Sequence, residues 1–416
     1  MLFRSAGTGK SWIAMKKAIR LAERGKEILF LCFSNNLEEY IRGRLEAFGN
    51  IRVTTFHSYA LSVLAEAIAR PARETAHDFR RFVREVFRRV PRRRADTFDV
   101  DDFEPAAGEV KTLLRAVADI RDDTDFTDLI SRFREEGLLD GELLAIMEHL
   151  LPCRLCGEDG MNGKFYSSRL PRALLQVFEE YTLRDQFDAI LIDEAQDFEE
   201  NWCDCITYFF KSRQDRTIYI FYDDNQSIFR SVAELPVVRL IAHRGLGNFI
   251  FHLRRNLRNT QEIHDYAVRR TGHGSTALSM DIRGLDPEEA VFGSPEEIRH
   301  HVGGILRDLV TVHGLAASSI TVLCNVPLRD SPFGHFPEIG GFALRPESRR
   351  SEGTQGRKNE IPFRTISQFK GLESDIAIVV LDYTARTEEP HHRITPELMY
   401  VAFTRAKYLL YVVALQ

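Results

Sequence analysis

The first 64 residues alternate between short apolar runs and longer stretches with helical spacing of their apolar positions. The run at 28–33 is continuously apolar, as in a parallel strand covered on both faces, and 53–56 begins a second, β-branched strand. Apolar positions in 12–24 and 37–48 recur with the spacing of amphipathic helices. Strands that alternate with helices predict an α/β fold with a parallel sheet.

Further along, the pattern changes twice. Residues 65–170 are highly charged, with helical spacing and no obvious strand, which predicts a helical insertion that interrupts the sheet. Apolar runs at 188–193 and 218–222 resume the first unit, and a second α/β unit is expected from about residue 246. Its predicted strands are 248–253, 320–324, 363–366, 376–381 and 408–413, with a loop at 325–360. The predicted domains are 1–64 with 171–245, the insertion 65–170, and 246–416.

Composition limits the class of protein. The 416 residues are 44% hydrophobic and 28% charged, which fits a globular protein of two or three domains. A net charge of −5 excludes a whole-surface polyanion binder, so a nucleic-acid site must be a local basic surface. No apolar run reaches membrane-spanning length, and the early Lys10 argues against a signal peptide; we expect a cytoplasmic location without a membrane partner.

Two features of the composition allow two interpretations each. The arginines between 80 and 94 could contact a nucleic-acid backbone, or form a solvated face paired with the acidic stretch 96–104. Cys153, Cys156, Cys203 and Cys205 could bind zinc, but their helical and turn contexts favour reduced thiols.

A glycine turn near the start of the chain carries the first chemical signal. Gly7-Thr8-Gly9-Lys10-Ser11 lies between a short apolar run and a helical stretch, the layout of a phosphate-binding loop. Backbone N–H groups would face the phosphates, Lys10 would neutralise the terminal ones, and the Ser11 hydroxyl would bind magnesium. Arg4 stands where the usual pattern has its first glycine, which indicates a shortened or degenerate start of the loop.

A second signal comes where the apolar run at 188–193 ends in two adjacent carboxylates. Asp193 is expected to hold Mg²⁺, and Glu194 to orient or deprotonate a water. The two signals together predict hydrolysis of a nucleoside triphosphate.

Seven short motifs follow one another in order: 32–37, 54–58, 193–197, 222–230, 256–260, 365–373 and 400–406. With the phosphate loop, this ordered set resembles superfamily 1 helicases of the UvrD/Rep-like type. The resemblance implies two RecA-like P-loop domains with ATP and Mg²⁺ between them. It also implies an ATP hydrolase that moves along single-stranded DNA, with an expected 3′ to 5′ direction.

The resemblance gives individual residues their roles. Gln226 is expected to sense the γ-phosphate, and Glu373 to contact the ribose. Arg258 and Arg405 are expected to add positive charge across the domain interface in the transition state. The residues expected to contact a single strand are Ser34, Asn35, Thr55, His57 and Phe229. Whether that strand is DNA alone or also RNA is left open.

The chain departs from the family around the nucleotide base. No residues precede the phosphate loop to supply the adenine-reading glutamine, and Leu257 stands where many relatives stack the base on Tyr. Both departures predict loose nucleotide selectivity. The large insertion of the second core domain is absent, so a compact form is expected, either shortened or a fragment, with a nuclease or another protein as partner.

Two other functions stay open. A P-loop phosphotransferase such as a nucleotide kinase would have no use for Arg258, Arg405 and the motif at 365–373. A regulatory or nucleic-acid-binding subunit with a degenerate nucleotide site would account for Arg4. Steady-state ATPase activity with and without a single-stranded oligonucleotide separates the three.

Overall fold

The fold contains two sheets with helices packed on their faces. The computed structural model describes residues 2–3, 9–74, 76–89, 106–118, 123–137, 146, 150, 165–180, 187–211, 216–222, 251–252, 256–273, 282–336, 338–346, 359–385 and 392–416. The strands are β1 Leu2–Phe3, β2 Ile28–Cys32, β3 Ile51–Thr55, β4 Ala189–Ile192, β5 Thr217–Tyr222, β6 Phe251–His252, β7 Glu288–Phe292, β8 Ile320–Cys324, β9 Glu338–Ile339, β10 Phe342–Pro346, β11 Glu360–Thr365, β12 Ser374–Asp382 and β13 Ala406–Leu415. The helices are α1 Lys10–Ala22, α2 Asn35–Leu45, α3 Phe56–Glu74, α4 Ala76–Arg89, α5 Ala107–Ala118, α6 Asp123–Glu135, α7 Leu170–Glu180, α8 Glu200–Ile206, α9 Gln261–Thr271, α10 Pro295–Arg307 and α11 Pro396–Phe403.

The first sheet has the order β3-β2-β4-β5-β1-β6, and its registered pairs are parallel. Strand β2 is buried along its whole length. Leu29 and Leu31 pack into the core on one face of the sheet, while Phe30 and Cys32 pack into the core on the other. This two-sided burial is the physical reason for the continuous apolar run in the sequence, and it confirms the α/β prediction.

The second sheet has the order β7-β13-β12-β8-β11-β10-β9 and is parallel except for the edge strand β9. The loop predicted at 325–360 is wrong in part, because β9 and β10 lie in this stretch and extend the sheet beside β11. Phe342 and Leu344 alternate inward along β10 and are buried, while flanking glycine, proline and arginine residues hide this period in the sequence.

Two predicted strand assignments also need correction. The strand expected at 248–253 does not open the second unit, because β6 pairs with β1 at the edge of the first sheet. The strand expected to continue through Phe56 ends at Thr55. There the Thr55 hydroxyl accepts a hydrogen bond from the N–H of Ser58 at 3.2 Å and starts α3.

The described part of the insertion is helical, as predicted. Helix α3 runs out of the first domain, α4 and α5 pack against it, and α6 packs against α4, within one continuous core that includes Phe82, Leu113 and Phe133. On the arginine-rich face, Arg81 pairs with Glu136 at 3.3 Å, a contact of the solvated-face type. The side chains of Arg88 and Arg89, residues 92–94 and the acidic stretch 96–104 lie outside the described residues.

The cysteines of α8 are packing residues. Burial raises the pKa of the Cys203 thiol to about 12, and the Cys205 thiol donates to the Pro171 carbonyl oxygen at 3.4 Å. Cys153 and Cys156 lie outside the described residues. Among the helices that the structure describes, none combines the length and the apolar character needed to cross a membrane.

Candidate active site

Most of the predicted side chains of the first domain lie at one edge of the first sheet, where its parallel strands end. Cys32 is level with Thr55, and Leu31 with Ile192, so the segments that follow β2, β3 and β4 leave the sheet together. Helix α1 begins at the same site with Lys10, which is buried, after Gly9 in the left-handed region at φ 79°. A left-handed turn of this kind favours glycine.

Asp193 is fully buried at this edge. Its Oδ1 accepts a hydrogen bond from the backbone N–H of Glu194 at 3.1 Å, and the Ser11 hydroxyl also bonds to the carboxylate. Burial and the neighbouring charge of Glu194 raise the pKa of Asp193 to about 7. Its Oδ2 has no hydrogen-bond partner among the described residues. A buried carboxylate oxygen without a donor fits a hard cation, so Asp193 and Ser11 are suited to hold Mg²⁺.

Glu194 has the opposite electrostatic environment. Burial favours its neutral form, but the charges of Lys370 and Lys10, a hydrogen bond from Gln196 and the charge of Arg405 hold the pKa of its carboxyl below the usual value. The Gln196 amide donates to Glu194 Oε2 at 2.5 Å. Glu194 is also the one non-glycine residue with positive φ, at 53°, in the part of the chain that the structure describes. An ionised carboxylate held in a strained backbone position is typical of a functional site.

A buried ion pair joins the two domains beside this carboxylate. Lys370, in the segment after β11, places its Nζ 2.8 Å from Asp197 Oδ1 and 2.6 Å from Oδ2. Both side chains are at most 3% exposed. The same segment contacts α2, because the Asn36 amide donates to the Gln368 carbonyl oxygen at 3.1 Å. The pair was not predicted, because nothing in the sequence links two residues that are 173 positions apart.

Arg258 and Glu373 meet on the second domain. Arg258 Nε donates to Glu373 Oε2 at 2.9 Å, and Lys407 Nζ lies 3.0 Å from Glu373 Oε1. Burial alone would raise the pKa of Glu373, but Arg258 and Lys407 hold it below its usual value. Glu373, which was predicted to contact the ribose, is therefore ionised and paired with Arg258, which was predicted to act in the transition state.

Arg405 is fully buried and fixed by main-chain oxygens. Its Nε donates to the Val401 carbonyl oxygen at 2.9 Å, and its Nη1 to that of Leu372 at 3.1 Å. From this position its guanidinium charge contributes to lowering the pKa of Glu194.

Two asparagines that were not predicted as site residues connect the segments that contain Arg258 and Arg405. Asn256 Oδ1 accepts from the backbone N–H of Arg258 at 2.9 Å and from that of Asn259 at 3.2 Å. Asn259 Nδ2 donates to the Thr404 carbonyl oxygen at 3.1 Å and to that of Ala406 at 2.5 Å, on either side of Arg405. Both asparagines are fully buried, so their hydrogen bonds fix the loop geometry.

Of the residues predicted to contact a single strand, Ser34, Asn35, Thr55 and His57 lie at the ends of β2 and β3. Ser34 caps α2 by accepting from the N–H of Leu37 at 3.3 Å, and Asn35 is the first residue of that helix. The ring of His57 lies 4.5 Å from that of Trp202, centre to centre. Burial lowers the pKa of His57 to about 4, and its Nε2 has no partner among the described residues.

Four predicted site residues lie outside the part of the chain that the structure describes: Gly7, Thr8, Gln226 and Phe229. The other predicted residues form two neighbouring groups. Lys10, Ser11, Asp193 and Glu194 form the charged group, to which Arg405 of the second domain adds positive charge. Arg258 and Glu373 pair with each other on the second domain. Ser34, Asn35, Thr55 and His57 form the group at the ends of β2 and β3.

Comparisons with known proteins give the family. A search of curated proteins found no match. One similar solved structure is the C-terminal domain of a possible DNA helicase from Lactobacillus plantarum WCFS1, with 17% identity and a TM-score of 0.29, covering 38% of this chain and 86% of that one. The family model of the UvrD/REP helicase N-terminal domain matches residues 1–231, more than half of the chain, including the Lys10–Ser11 and Asp193–Glu194 segments. The chain therefore belongs to the UvrD/REP helicase family.

Proposed function

We propose that this protein is an ATP-driven motor that moves 3′ to 5′ along single-stranded DNA. The observation that carries the proposal is the ionised Glu194, which receives positive charge from Lys10 of the first domain and from Lys370 and Arg405 of the second. A hydrolysis site that needs cations from both domains responds to the distance between them. Such a site can convert hydrolysis into relative motion of the domains.

At the nucleotide, each residue has a distinct role. Lys10 binds the terminal phosphates with the N–H groups of Gly7, Thr8 and Gly9. Ser11 and Asp193 would hold Mg²⁺, which would supply further neutralisation of the phosphate oxygens. Glu194 accepts a hydrogen bond from the attacking water, because its carboxyl is ionised at neutral pH.

The second domain supplies the remaining charge. Arg258 and Arg405 stabilise the negative charge that develops as the γ-phosphate bond breaks, and Gln226 senses the γ-phosphate. Glu373 contacts the ribose in addition to its partners Arg258 and Lys407. The pairing of Arg258 with Glu373 at 2.9 Å supports a common role of the two side chains at the nucleotide.

The single strand follows the ends of β2 and β3. Ser34, Asn35 and Thr55 lie at helix starts, where backbone N–H groups and hydroxyls suit phosphates, and Phe229 adds an aromatic surface. His57 acts as a neutral hydrogen-bonding and stacking group, since its pKa is about 4. The cross-domain contact between Asn36 and Gln368 starts one residue from Asn35, so closure brings the second domain against the strand site without changing the internal shape of that site.

The proposal also includes the domain boundaries, the cellular location and the partners of the protein. The first RecA-like domain comprises 1–64 with 171–245, extended by β6, the insertion is 65–170, and the remainder is the second domain. The protein works in the cytoplasm with ATP and Mg²⁺, beside a nuclease or another partner protein. A phosphotransferase is disfavoured because it has no role for the second-domain arginines.

The test is steady-state ATPase activity of the purified chain with and without single-stranded DNA, with RNA of the same sequence as a second arm. We expect stimulation by DNA, no activity in Lys10→Ala, and ATP-dependent displacement of streptavidin from one biotinylated end of the strand. Displacement from the 5′ end alone fits 3′ to 5′ movement. ATP hydrolysis without strand stimulation argues for a phosphotransferase-like enzyme, and strand binding without hydrolysis argues for a binding subunit.

A further inference from the structure

Strand β7 lies at one edge of the second sheet. It pairs with β13 along its whole length, and among the strands that the structure describes none lies on its other side. Backbone groups of successive residues in a strand point to alternate sides. The N–H of Gln416 donates to the carbonyl oxygen of Phe292 at 3.1 Å, so Phe292 and Ala290 face β13. The N–H and C=O groups of Glu289 and Val291 therefore point away from β13.

The surface around this edge is acidic. The segment 286–297 contains five carboxylates and no lysine, arginine or histidine. Two of the five have partners within the second domain. Glu289 pairs with Arg270 at 2.5 Å, and Glu297 accepts hydrogen bonds at the start of α10. Three carboxylates are exposed and form no ion pair with any described residue: Asp286, Glu288 and Glu296.

These three exposed carboxylates exclude two occupants of the edge. A second copy of the chain would bring the same charges opposite Glu288, and like charges on neighbouring strands are destabilising. Nucleic acid would bring its phosphates against them. An edge with open hydrogen-bonding groups and negative charge instead fits an extended segment of positive charge.

We infer that β7 is the docking edge for an extended segment of a partner protein, rich in lysine or arginine, which adds to the second sheet as a further strand. Its main chain bonds to the outward groups of Glu289 and Val291, and its basic side chains lie near the three exposed carboxylates. Val291 is 54% exposed and offers an apolar contact between the charges. The docking edge involves neither the nucleotide nor the single strand, so it goes beyond the proposed function.

The experiment uses the whole chain and a fluorescein-labelled peptide of about seven residues, blocked at both ends, in which lysine alternates with valine. A second peptide has the same sequence but carries methyl groups on its backbone nitrogens. Methylation removes the donors that a strand needs and keeps every charge. We expect fluorescence anisotropy to show binding of the first peptide and about tenfold weaker binding of the methylated peptide.

Hydrogen exchange locates the docking site. The outward amides of Glu289 and Val291 should exchange more slowly when the unmethylated peptide is bound, because they then donate to its carbonyl oxygens. The amides of β9, at the opposite edge of the same sheet, should exchange as in the free protein.

Two variants of β7 separate hydrogen bonding from charge. Val291→Pro removes an outward N–H and keeps the ladder with β13, since an edge strand tolerates proline on its open side, and peptide affinity should fall about tenfold. Glu288→Lys reverses one charge and should weaken binding about fivefold. Glu338→Lys is the matched control, because Glu338 is an exposed residue of β9, and it should bind the peptide as the parent does.

The outcomes decide the docking edge separately from the motor. Equal binding of the methylated peptide would mean attraction by charge alone and would overturn strand addition. Equal weakening in Glu288→Lys and Glu338→Lys, or unchanged exchange at β7, would place the peptide elsewhere and overturn the docking edge. Slower exchange at β7 in the parent protein alone, as its concentration rises, would identify a second copy as the occupant instead. Strand-stimulated ATPase activity, which should be normal in Val291→Pro, tests the motor independently.

Discussion

Two neighbouring regions of the first domain are built from different interactions. The nucleotide edge is the proposed nucleotide site around Lys10, Asp193 and Glu194, and the strand edge is the proposed site for single-stranded DNA around Ser34, Thr55 and His57. The nucleotide edge contains buried charges, Asp193, Glu194 and Asp197, which are balanced by Lys10 and by cations of the second domain. The strand edge contains an aromatic cluster within the first domain, in which Trp202 stacks on Phe56 with ring centres 4.9 Å apart.

This difference has a physical consequence for coupling. A buried charge without its partner costs several kcal/mol, so the nucleotide edge depends on the position of the second domain. The aromatic cluster is complete without the second domain, so the strand edge keeps its shape when the domains separate. The hydrolysis step is therefore expected to be sensitive to closure, and strand binding much less so.

The largest effect expected at the nucleotide edge follows from Glu194→Gln. The amide keeps the size of the side chain but cannot accept a proton from the attacking water. We expect kcat for ATP to fall about 10³-fold, with nucleotide affinity changed less than about threefold. Single-turnover hydrolysis and calorimetry measure the two quantities. Undiminished turnover would remove Glu194 from the reaction.

The arginines of the second domain should give the next largest effect. Arg258→Lys and Arg405→Lys keep a positive charge but lose the planar fork, and we expect kcat to fall about 10²-fold in each. ATP affinity should change less, because these charges act mainly in the transition state. Arg329→Lys, at an arginine 83% exposed on the second domain, is the control and should turn over ATP normally. Normal hydrolysis in both test variants would contradict closure of the second domain over the nucleotide.

Most of the fold was predictable because the central strands are buried on both faces. Strands β2, β4, β5, β8, β12 and β13 all come from apolar runs recognised in the sequence. The errors fall at sheet edges. Strand β6 is two residues long, and β9 and β10 lie among glycine and proline residues, so neither the period nor the sheet membership of these strands is encoded locally.

The site was predictable where short motifs place residues next to each other. Lys10 with Ser11, and Asp193 with Glu194, are such neighbours, and the structure brings these two pairs together. The pair of Lys370 with Asp197 and the hydrogen bonds of Asn259 to either side of Arg405 are contacts between distant segments. Their residues stand inside recognised motifs, but their partners follow only from the packing of the domains.

The pair of Lys370 with Asp197 tests closure directly. Lys370→Met should lower strand-stimulated kcat about 30-fold, because Glu194 loses the cation that contributes most to lowering its pKa and Asp197 loses its buried ion-pair partner. Asp197→Asn should have a similar effect, and the double variant should lose less than the product of the two single effects. Affinity for a single-stranded oligonucleotide, measured by fluorescence anisotropy, should stay within about threefold. If the effects of the two substitutions on kcat are independent, the contact between Lys370 and Asp197 does not couple domain closure to hydrolysis.

The smallest effect concerns the strand edge and does not need the second domain. Burial lowers the pKa of His57 from 6.5 to about 4, so between these values the unfolded chain takes up a proton that the folded chain does not. Stability is therefore lost as the pH falls below about 6.5. Because the ring is partly exposed, we expect the parent protein to lose only about 1 kcal/mol more than His57→Asn between pH 7 and pH 5 in urea unfolding. His335→Asn, at an exposed histidine of the second domain, should keep the pH dependence of the parent. Equal slopes for the parent and His57→Asn would mean that His57 is solvated, and the strand edge would then lack the buried aromatic character that separates it from the nucleotide edge.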